Sequence, residues 1–329
     1  MKELIPIFFD PDSDDPVETP DGKRIPIFLT LAALIGDVQN KAYGVQKNKT
    51  YRFHIVNLGA IAFFHVWIEN HNMTVIEVDG VYVKPYTTQG VDVAVGQRYS
   101  VLVTMSADPS QNYPIVAAMD GLRSPSARPN ATAWLQYNEA GPLPIAKNIS
   151  QFYQFDDTVL DPLFPVPVSN PDHNVTLAVT FATRESDGVF VAQINGNSYL
   201  APDTPTMLTA MDSPSPLEPY NYGATTNSYI LRNNRMIWLI IENQTGGSHP
   251  CISCPLIANL VHLHGHTFQV LYRSPPNTAY NDKIFYPIDK TPVRRDVIVV
   301  PNRGFVILAF RADNPGIWFL YLPHLFLLT

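Results

Sequence analysis

The sequence predicts an all-β protein built from two domains. A length of 329 residues suggests about two domains, and 46% of the residues are hydrophobic, which is enough to build full cores. The 30 prolines are spread along the chain, and proline disfavours long helices while it suits the turns between short strands. Runs in which polar and apolar residues alternate, the period of a half-buried strand, occur in both halves.

The first half contains a regular series of these runs. Asp79-Gly80 lies between two strand-like segments and is typical of a tight hairpin turn. Together the runs predict a β domain over 25–140. We predict strands at 50–58, 63–68, 73–78, 91–95, 98–105, 113–119 and 133–137.

Prolines then cluster over 141–172, where Asp156 and Asp157 also occur, and this composition predicts a linker. A second series of strand-like runs follows and predicts another β domain over 173–329. Its predicted strands are 174–180, 228–231, 236–242, 261–272, 296–300 and 305–311.

Composition excludes several classes of protein. The net charge is −7 and Lys and Arg are not clustered, which argues against a nucleic-acid partner. Cys251 and Cys254 are too few for a disulfide scaffold, and no run of about 20 apolar residues predicts a membrane span. The first residues lack the pattern of a signal peptide. Sequons nevertheless indicate a secretory route, so we expect the N-terminus to be incomplete. They occur at Asn48, Asn72, Asn130, Asn148, Asn174 and Asn243.

Three histidines lie within the five residues His262-Leu263-His264-Gly265-His266, although the whole chain has only 9. Alternate side chains of an extended strand point to the same face, so we expect the three imidazoles to project together. Neutral imidazole nitrogens are common ligands of copper and zinc. The alternative, a surface strand with histidines by chance, explains this concentration poorly.

Several segments resemble the multicopper oxidase family. WIENHNMTVIEVDG at 67–80 and GQRYSVLV at 96–103 are similar to its second cupredoxin domain. Segments in the second half are similar to its third domain: His-Pro at 249–250, His-Leu-His-Gly-His at 262–266, Arg-Arg-Asp at 294–296 and ADNPGIWF at 312–319. The forms of the first and last segments look most like fungal iron-uptake ferroxidases, and laccases are close relatives.

The resemblance implies two cupredoxin-like Greek-key β-sandwich or barrel domains. It implies an oxidoreductase with four copper ions that removes single electrons from Fe²⁺, or from a small phenolic substrate in a laccase, and reduces dioxygen to water. It also implies an extracellular or cell-surface location and, for a ferroxidase, an iron permease as partner.

The resemblance assigns roles to individual residues. His249 corresponds to a type 1 copper ligand, His262 to a type 2 ligand and His264 to a type 3 ligand. His266 ends the motif and is expected to support packing or hydrogen bonding instead. Glu69 corresponds to an acid near the iron-binding face, where a hard carboxylate suits iron; the alternative is a solvated acid at the end of a strand.

The sequence departs from the family pattern in three places. The family motif is His-Pro-x-His-Leu-His-Gly-His, whereas residues 251–261 intervene here and look like an insert. After Trp318-Phe319 the family continues with a His-Cys-His segment that this chain lacks. Residues 1–24 look like the segment that leaves a first domain, whose His-x-His motifs do not occur.

These departures predict a truncated or mis-spliced product. Its similarity to the third domain of the family ends at residue 319. We expect an incomplete set of copper ligands and an inactive chain. An open sheet edge would also make the domain from 173 onward less stable than 25–140.

Two other interpretations remain open at this stage. One is a non-enzymatic cupredoxin-like binding module that keeps relic histidines. The other is an adventitious zinc site, because Cys251-x-x-Cys254 has the spacing of zinc or redox pairs and lies near His249, His262 and His264 in sequence.

Overall fold

The computed structural model describes residues 4–9, 41–58, 63–120, 130–147, 155–183, 188, 190–245, 259–283 and 291–321, with backbone alone for 4–9, 119–120, 130, 190, 224 and 259. The chain divides into two compact units, the first ending at Leu163 and the second beginning at Phe164. This division falls within the stretch predicted as a linker. The described residues contain no helix long and apolar enough to span a bilayer.

The first unit is built from two five-stranded sheets. Its strands are β1 (Leu4–Phe9), β2 (Ala42–Gly44), β3 (Thr50–Asn57), β4 (Phe63–Ile68), β5 (Met73–Val78), β6 (Val81–Thr88), β7 (Gly90–Val93), β8 (Arg98–Thr104), β9 (Tyr113–Asp120) and β10 (Asn130–Gln136). One sheet has the order β1-β3-β8-β5-β6 and the other β2-β10-β9-β4-β7. Apart from the consecutive pairs β5–β6 and β9–β10, neighbouring strands are not consecutive in sequence, so several connections cross between the sheets.

Alternation of side chains explains these strands. In β3 Phe53 and Ile55 are buried, while His54 between them and Val56 after them are partly exposed, as expected of a strand with one face on a core. The turn from β5 to β6 has positive φ angles of 46° at Asp79 and 84° at Gly80, the combination required by a type I′ hairpin turn. The predicted turn is confirmed.

Part of the predicted linker packs on the first unit. Phe155 and Leu160 are buried, and between them lies a 3₁₀ helix, Asp157–Val159. The backbone N–H of Leu163 donates to the carbonyl oxygen of Tyr82 at 2.9 Å. Residues 155–163 therefore pack against the first unit and are attached to β6 by a backbone hydrogen bond.

The second unit has a six-stranded sheet and a three-stranded sheet. Its strands are β11 (His173–Thr183), β12 (Phe190–Ile194), β13 (Met236–Asn243), β14 (Asn259–Leu263), β15 (Phe268–Arg273), β16 (Arg294–Arg295), β17 (Val297–Val300), β18 (Phe305–Arg311) and β19 (Leu320–Tyr321). The orders are β12-β11-β13-β18-β15-β16 and β17-β14-β19. Short helices lie at Thr206–Asp212 (α1), Pro219–Tyr222 and Ala224–Thr226.

The centre of this unit is the antiparallel pair of β13 and β18, both almost entirely apolar. A run without alternation is typical of a strand that is covered on both faces. Six buried side chains form one cluster across the larger sheet: Met236, Ile240, Leu271, Phe305, Ile307 and Ala309.

Some predictions about strands were wrong. Residues 228–231 form no strand. The single run predicted at 261–272 is two strands, β14 and β15, in different sheets, and the last residues of the predicted insert, 259–261, belong to β14. β6 was not among the predicted strands; it contains Pro85 and is an edge strand, where proline is tolerated.

Candidate metal centre

His262 and His264 lie at the point where β14 ends. The strand stops at Leu263, and the chain turns at His264-Gly265. The two imidazole rings are in contact, with centroids 4.7 Å apart and planes tilted by 53°. This contact brings two nitrogen ligands to one place on the three-stranded sheet.

A backbone hydrogen bond orients His262. Its Nδ1–H donates to the carbonyl oxygen of Asp296 at 2.9 Å. A carbonyl can only accept, so in the neutral ring the lone pair lies on Nε2. Metal-binding histidines characteristically donate their second nitrogen in this way, which sets the tautomer and the orientation of the ring. The Asp296 carboxylate adds negative charge 4.0 Å from Nδ1.

Aromatic side chains surround His264. Phe319 and Tyr321 lie 6.3 Å and 5.4 Å from its ring, measured between centroids. Tyr199 in turn packs edge-on against Phe319 at 5.9 Å. Burial lowers the pKa of His264, and the neighbouring His262 lowers it further, while Asp296 acts in the opposite direction. The neutral imidazole, the form that binds metals, is therefore favoured at this position.

His266 does not join the pair, so the expectation that three imidazoles project together was wrong. Gly265 has φ of +70°, which ends the extended backbone that the prediction assumed. His266 instead packs against Phe310 and Trp318, and its Nδ1–H donates to the carbonyl oxygen of His264 at 3.2 Å. The packing and hydrogen-bonding role suggested by the sequence agrees with these contacts.

The DNPGIW segment holds this turn in place. Asn314 Nδ2 donates to the carbonyl oxygen of Gly265 at 2.9 Å, and Trp318 Nε1 donates to the carbonyl oxygen of Asn314 at 2.9 Å. A Cβ on Gly265 would lie 2.4 Å from the Trp318 ring, so only glycine fits beneath the indole. The two most specific motifs of the second half thus form one structural element.

Glu69 lies in the first unit, directly after β4, and is half-buried. Its Oε1 accepts the backbone N–H of Lys147 at 2.6 Å. The carboxylate therefore fastens the segment after β10 to the end of β4, a structural contact that the sequence did not indicate. No partner for Oε2 occurs among the described residues.

Sequence reasoning missed the buried histidine beside Glu69. His71 is 6% exposed, and its Nδ1–H donates to the Glu69 carbonyl oxygen at 2.8 Å. Burial lowers the pKa of His71 and raises the pKa of Tyr137 to about 12. The Tyr137 hydroxyl stays protonated and donates to His71 Nε2 at 2.7 Å. The hydrogen bond from His71 therefore fixes the position of the Glu69 backbone.

Other predicted site residues lie outside the described part of the chain. These are His249, the proposed type 1 ligand, and the Cys251-x-x-Cys254 pair; the same holds for most of the predicted insert. Their assignments remain predictions.

The described residues fit one copper ion better than four. His262 and His264 supply two neutral imidazoles, a donor type that suits copper. No group of three or more His, Cys, Asp or Glu side chains able to hold a metal occurs in the described ranges. These ranges therefore do not provide a four-copper centre.

Comparison with known proteins agrees with the sequence resemblance. Two multicopper oxidase family models match residues 22–140 and 199–322. The iron transport multicopper oxidase fio1 of Schizosaccharomyces pombe is 36% identical over 88% of this chain and 46% of its own length. The iron transport multicopper oxidase FET3 of Gibberella zeae is 33% identical over 98% of this chain and 50% of its own length. The chain thus spans about half the length of these relatives.

Solved structures agree on the fold. Fet3p, a multicopper oxidase that functions in iron import, superposes with a TM-score of 0.87 at 27% identity, over 98% of this chain and 63% of Fet3p. A laccase from Botrytis aclada superposes with a TM-score of 0.73 at 22% identity, over 98% of this chain and 61% of the laccase, which supports the fold alone. The expected cupredoxin-like all-β fold is confirmed, and the chain belongs to the multicopper oxidase family, whose members use copper.

Proposed function

We propose that this chain is part of a copper-dependent oxidase that oxidises Fe²⁺ during iron uptake and transfers the electrons to dioxygen. The observation that carries the proposal is the oriented His262–His264 pair, in a chain similar to iron-transport multicopper oxidases along most of its length. Copper, when bound, supplies the one-electron redox chemistry.

Glu69 is the proposed contact for the iron substrate. Fe²⁺ and Fe³⁺ prefer hard oxygen ligands, and one carboxylate oxygen is used on Lys147 while the other has no partner among the described residues. His71 and Tyr137 hold the Glu69 backbone in place. A phenolic substrate would not require a carboxylate at this position.

The proposed location is the cell surface or the extracellular space, with an iron permease as partner. Exposure of several sequons supports a secretory route, because Asn48, Asn72 and Asn174 are all exposed. Asn243 differs from these three: it is 2% exposed and its Oδ1 accepts hydrogen bonds from Thr245. We therefore expect glycans at the exposed sequons and none at Asn243 in the folded protein.

The proposal is tested by disrupting the gene in the organism that carries it, and measuring both uptake of labelled Fe²⁺ under iron limitation and oxidation of phenols. We expect iron uptake to fall while phenol oxidation is unchanged. Loss of phenol oxidation alone would favour the laccase alternative. No change in either activity would contradict an oxidase function and favour a non-enzymatic binding module.

The 329-residue chain by itself is expected to be inactive as an oxidase. Only two of the required imidazoles come together among its described residues. Measurement of oxygen uptake with Fe²⁺ by the purified, copper-loaded chain tests this expectation, and turnover at the rate of a complete oxidase would contradict it.

A further inference from the structure

We propose that His262, His264 and Tyr321 together form a site for a single Cu²⁺ ion, with the phenolate oxygen of Tyr321 as the third ligand. The two histidines are the ones that the resemblance assigns to the shared multi-copper centre of the family, and the new element is the phenol of Tyr321 as a third ligand to the same ion. The site does not depend on the proposed oxidation of iron.

The strand pairing places Tyr321 beside both histidines. In the antiparallel ladder of β14 and β19, His262 and Tyr321 are directly opposite each other. Side chains at opposite positions lie on the same face of the sheet, with their Cβ atoms about 5 Å apart. A metal ligand on one strand can therefore be complemented by a ligand on the other.

Ring contacts show that the three side chains meet. Ring centroids are separated by 4.7 Å between His262 and His264, 5.6 Å between His262 and Tyr321, and 5.4 Å between His264 and Tyr321. Each ring thus touches the other two. Two histidines and a phenol therefore converge at this end of the three-stranded sheet.

The ligand set suits Cu²⁺. Mixed nitrogen and oxygen ligands in a tetragonal arrangement are typical of this ion. The bond of His262 to the Asp296 carbonyl leaves Nε2 as the nitrogen with a lone pair. When the copper–oxygen bond forms, the phenol releases its proton to solvent, which the half-buried position of Tyr321 permits. The Asp296 carboxylate offsets part of the positive charge brought by the ion.

The site is held by rigid neighbours. His262 is fixed by the Asp296 carbonyl, and the turn that carries His264 is fixed by Asn314 and Trp318. Backbone pairing also continues past His262, because Leu263 is opposite Leu320. A preformed set of ligands loses less conformational freedom on binding than a flexible one.

The experiment is a titration of the purified 329-residue chain with Cu²⁺ in a glycine buffer, which suppresses weak surface binding. We expect one tightly bound Cu²⁺ per chain, nitrogen hyperfine splitting in its electron paramagnetic resonance spectrum, and a visible phenolate-to-copper charge-transfer band. Tyr321→Phe should abolish the band while the nitrogen splitting persists, and should weaken affinity by about tenfold.

Two control variants test the assignment. Tyr199→Phe changes a nearby phenol that contacts Phe319 rather than the histidines, and it should retain the band. His173→Ala removes an exposed histidine of the same unit, and it should retain full copper binding. Circular dichroism of every variant checks that it folds.

Three results would overturn the proposal: failure of the folded wild-type chain to bind Cu²⁺, a spectrum without the charge-transfer band, or a band that survives Tyr321→Phe. These results concern copper binding alone, whereas the gene disruption described above concerns iron uptake. Failure of one proposal is therefore distinguishable from failure of the other.

Discussion

His71 in the first unit is 6% exposed and both of its ring nitrogens have partners within the protein. His262 in the second unit is 23% exposed at its side chain, and its Nδ1 bonds to a backbone carbonyl. Its ring contacts a second imidazole, that of His264, and the ring of Tyr321. The difference separates a histidine that stabilises a turn from one that is prepared to bind a metal.

The largest expected effect is the loss of copper from His262→Ala. Removal of one of two imidazoles should lower Cu²⁺ affinity by more than about 100-fold, as measured by competition with a chelator. His71→Ala should leave the affinity unchanged, because His71 belongs to the first unit. Equal losses of copper in both variants would erase the distinction between the two kinds of histidine.

His71→Phe should destabilise the first unit by about 1–3 kcal/mol, because the Glu69 carbonyl and the Tyr137 hydroxyl lose a buried partner. Chemical denaturation followed by fluorescence measures this change. Tyr137→Phe, which removes one of the two bonds, should cost about 1 kcal/mol. A cost for His71→Phe no greater than that would show that the network contributes little.

Gly265→Ala should disturb the metal centre through its backbone. A side chain is strained at φ of +70° and would collide with the Trp318 ring, at a cost of roughly 1–3 kcal/mol. We expect a lower melting temperature together with weaker Cu²⁺ binding. Gly188→Ala, also at a positive φ but with open space around its Cβ, separates strain from collision; similar losses in both variants would argue against a role for Trp318.

Acidification should lower both the stability of the first unit and the copper affinity of the second. Burial lowers the folded-state pKa of His71 below its ordinary value of 6.5, so its contribution to stability is complete above pH 6.5 and is lost as the pH falls through the folded value. The pKa of His264 is lowered for the same main reason, and its protonation would compete with copper. Denaturation and copper titration between pH 7.5 and about 5 test both effects; the slope should diminish in His71→Phe.

The smallest effect on stability is expected from Glu69→Gln. The amide oxygen can still accept the Lys147 N–H, so the cost should be about 0.5 kcal/mol or less. In the complete enzyme the same change should raise KM for Fe²⁺ and leave kcat for a phenolic substrate unchanged. An unaltered KM for Fe²⁺ would remove Glu69 from the proposed iron contact.

Local patterns were sufficient for much of the fold. The strands Phe63–Ile68 and Met73–Val78 were predicted with the observed bounds, since alternation of polar and apolar residues is a property of neighbouring positions. The strand predictions failed where strand formation depends on residues that are distant in sequence. Residues 228–231 were predicted as a strand but form none, and β6 contains a proline that is acceptable because the strand lies at an edge.

The amino-acid sequence was enough to identify the family and the all-β architecture. It was also enough to select His262 and His264 as candidate copper ligands, because that choice depends on spacing and residue type. Only the folded chain turned His266 away, through the positive φ of Gly265 and contacts with Asn314 and Trp318 about 50 residues later. The same long-range pairing set Tyr321 opposite His262. Which side chains share a metal depends on distances in space, and those are established by strand pairing between remote segments.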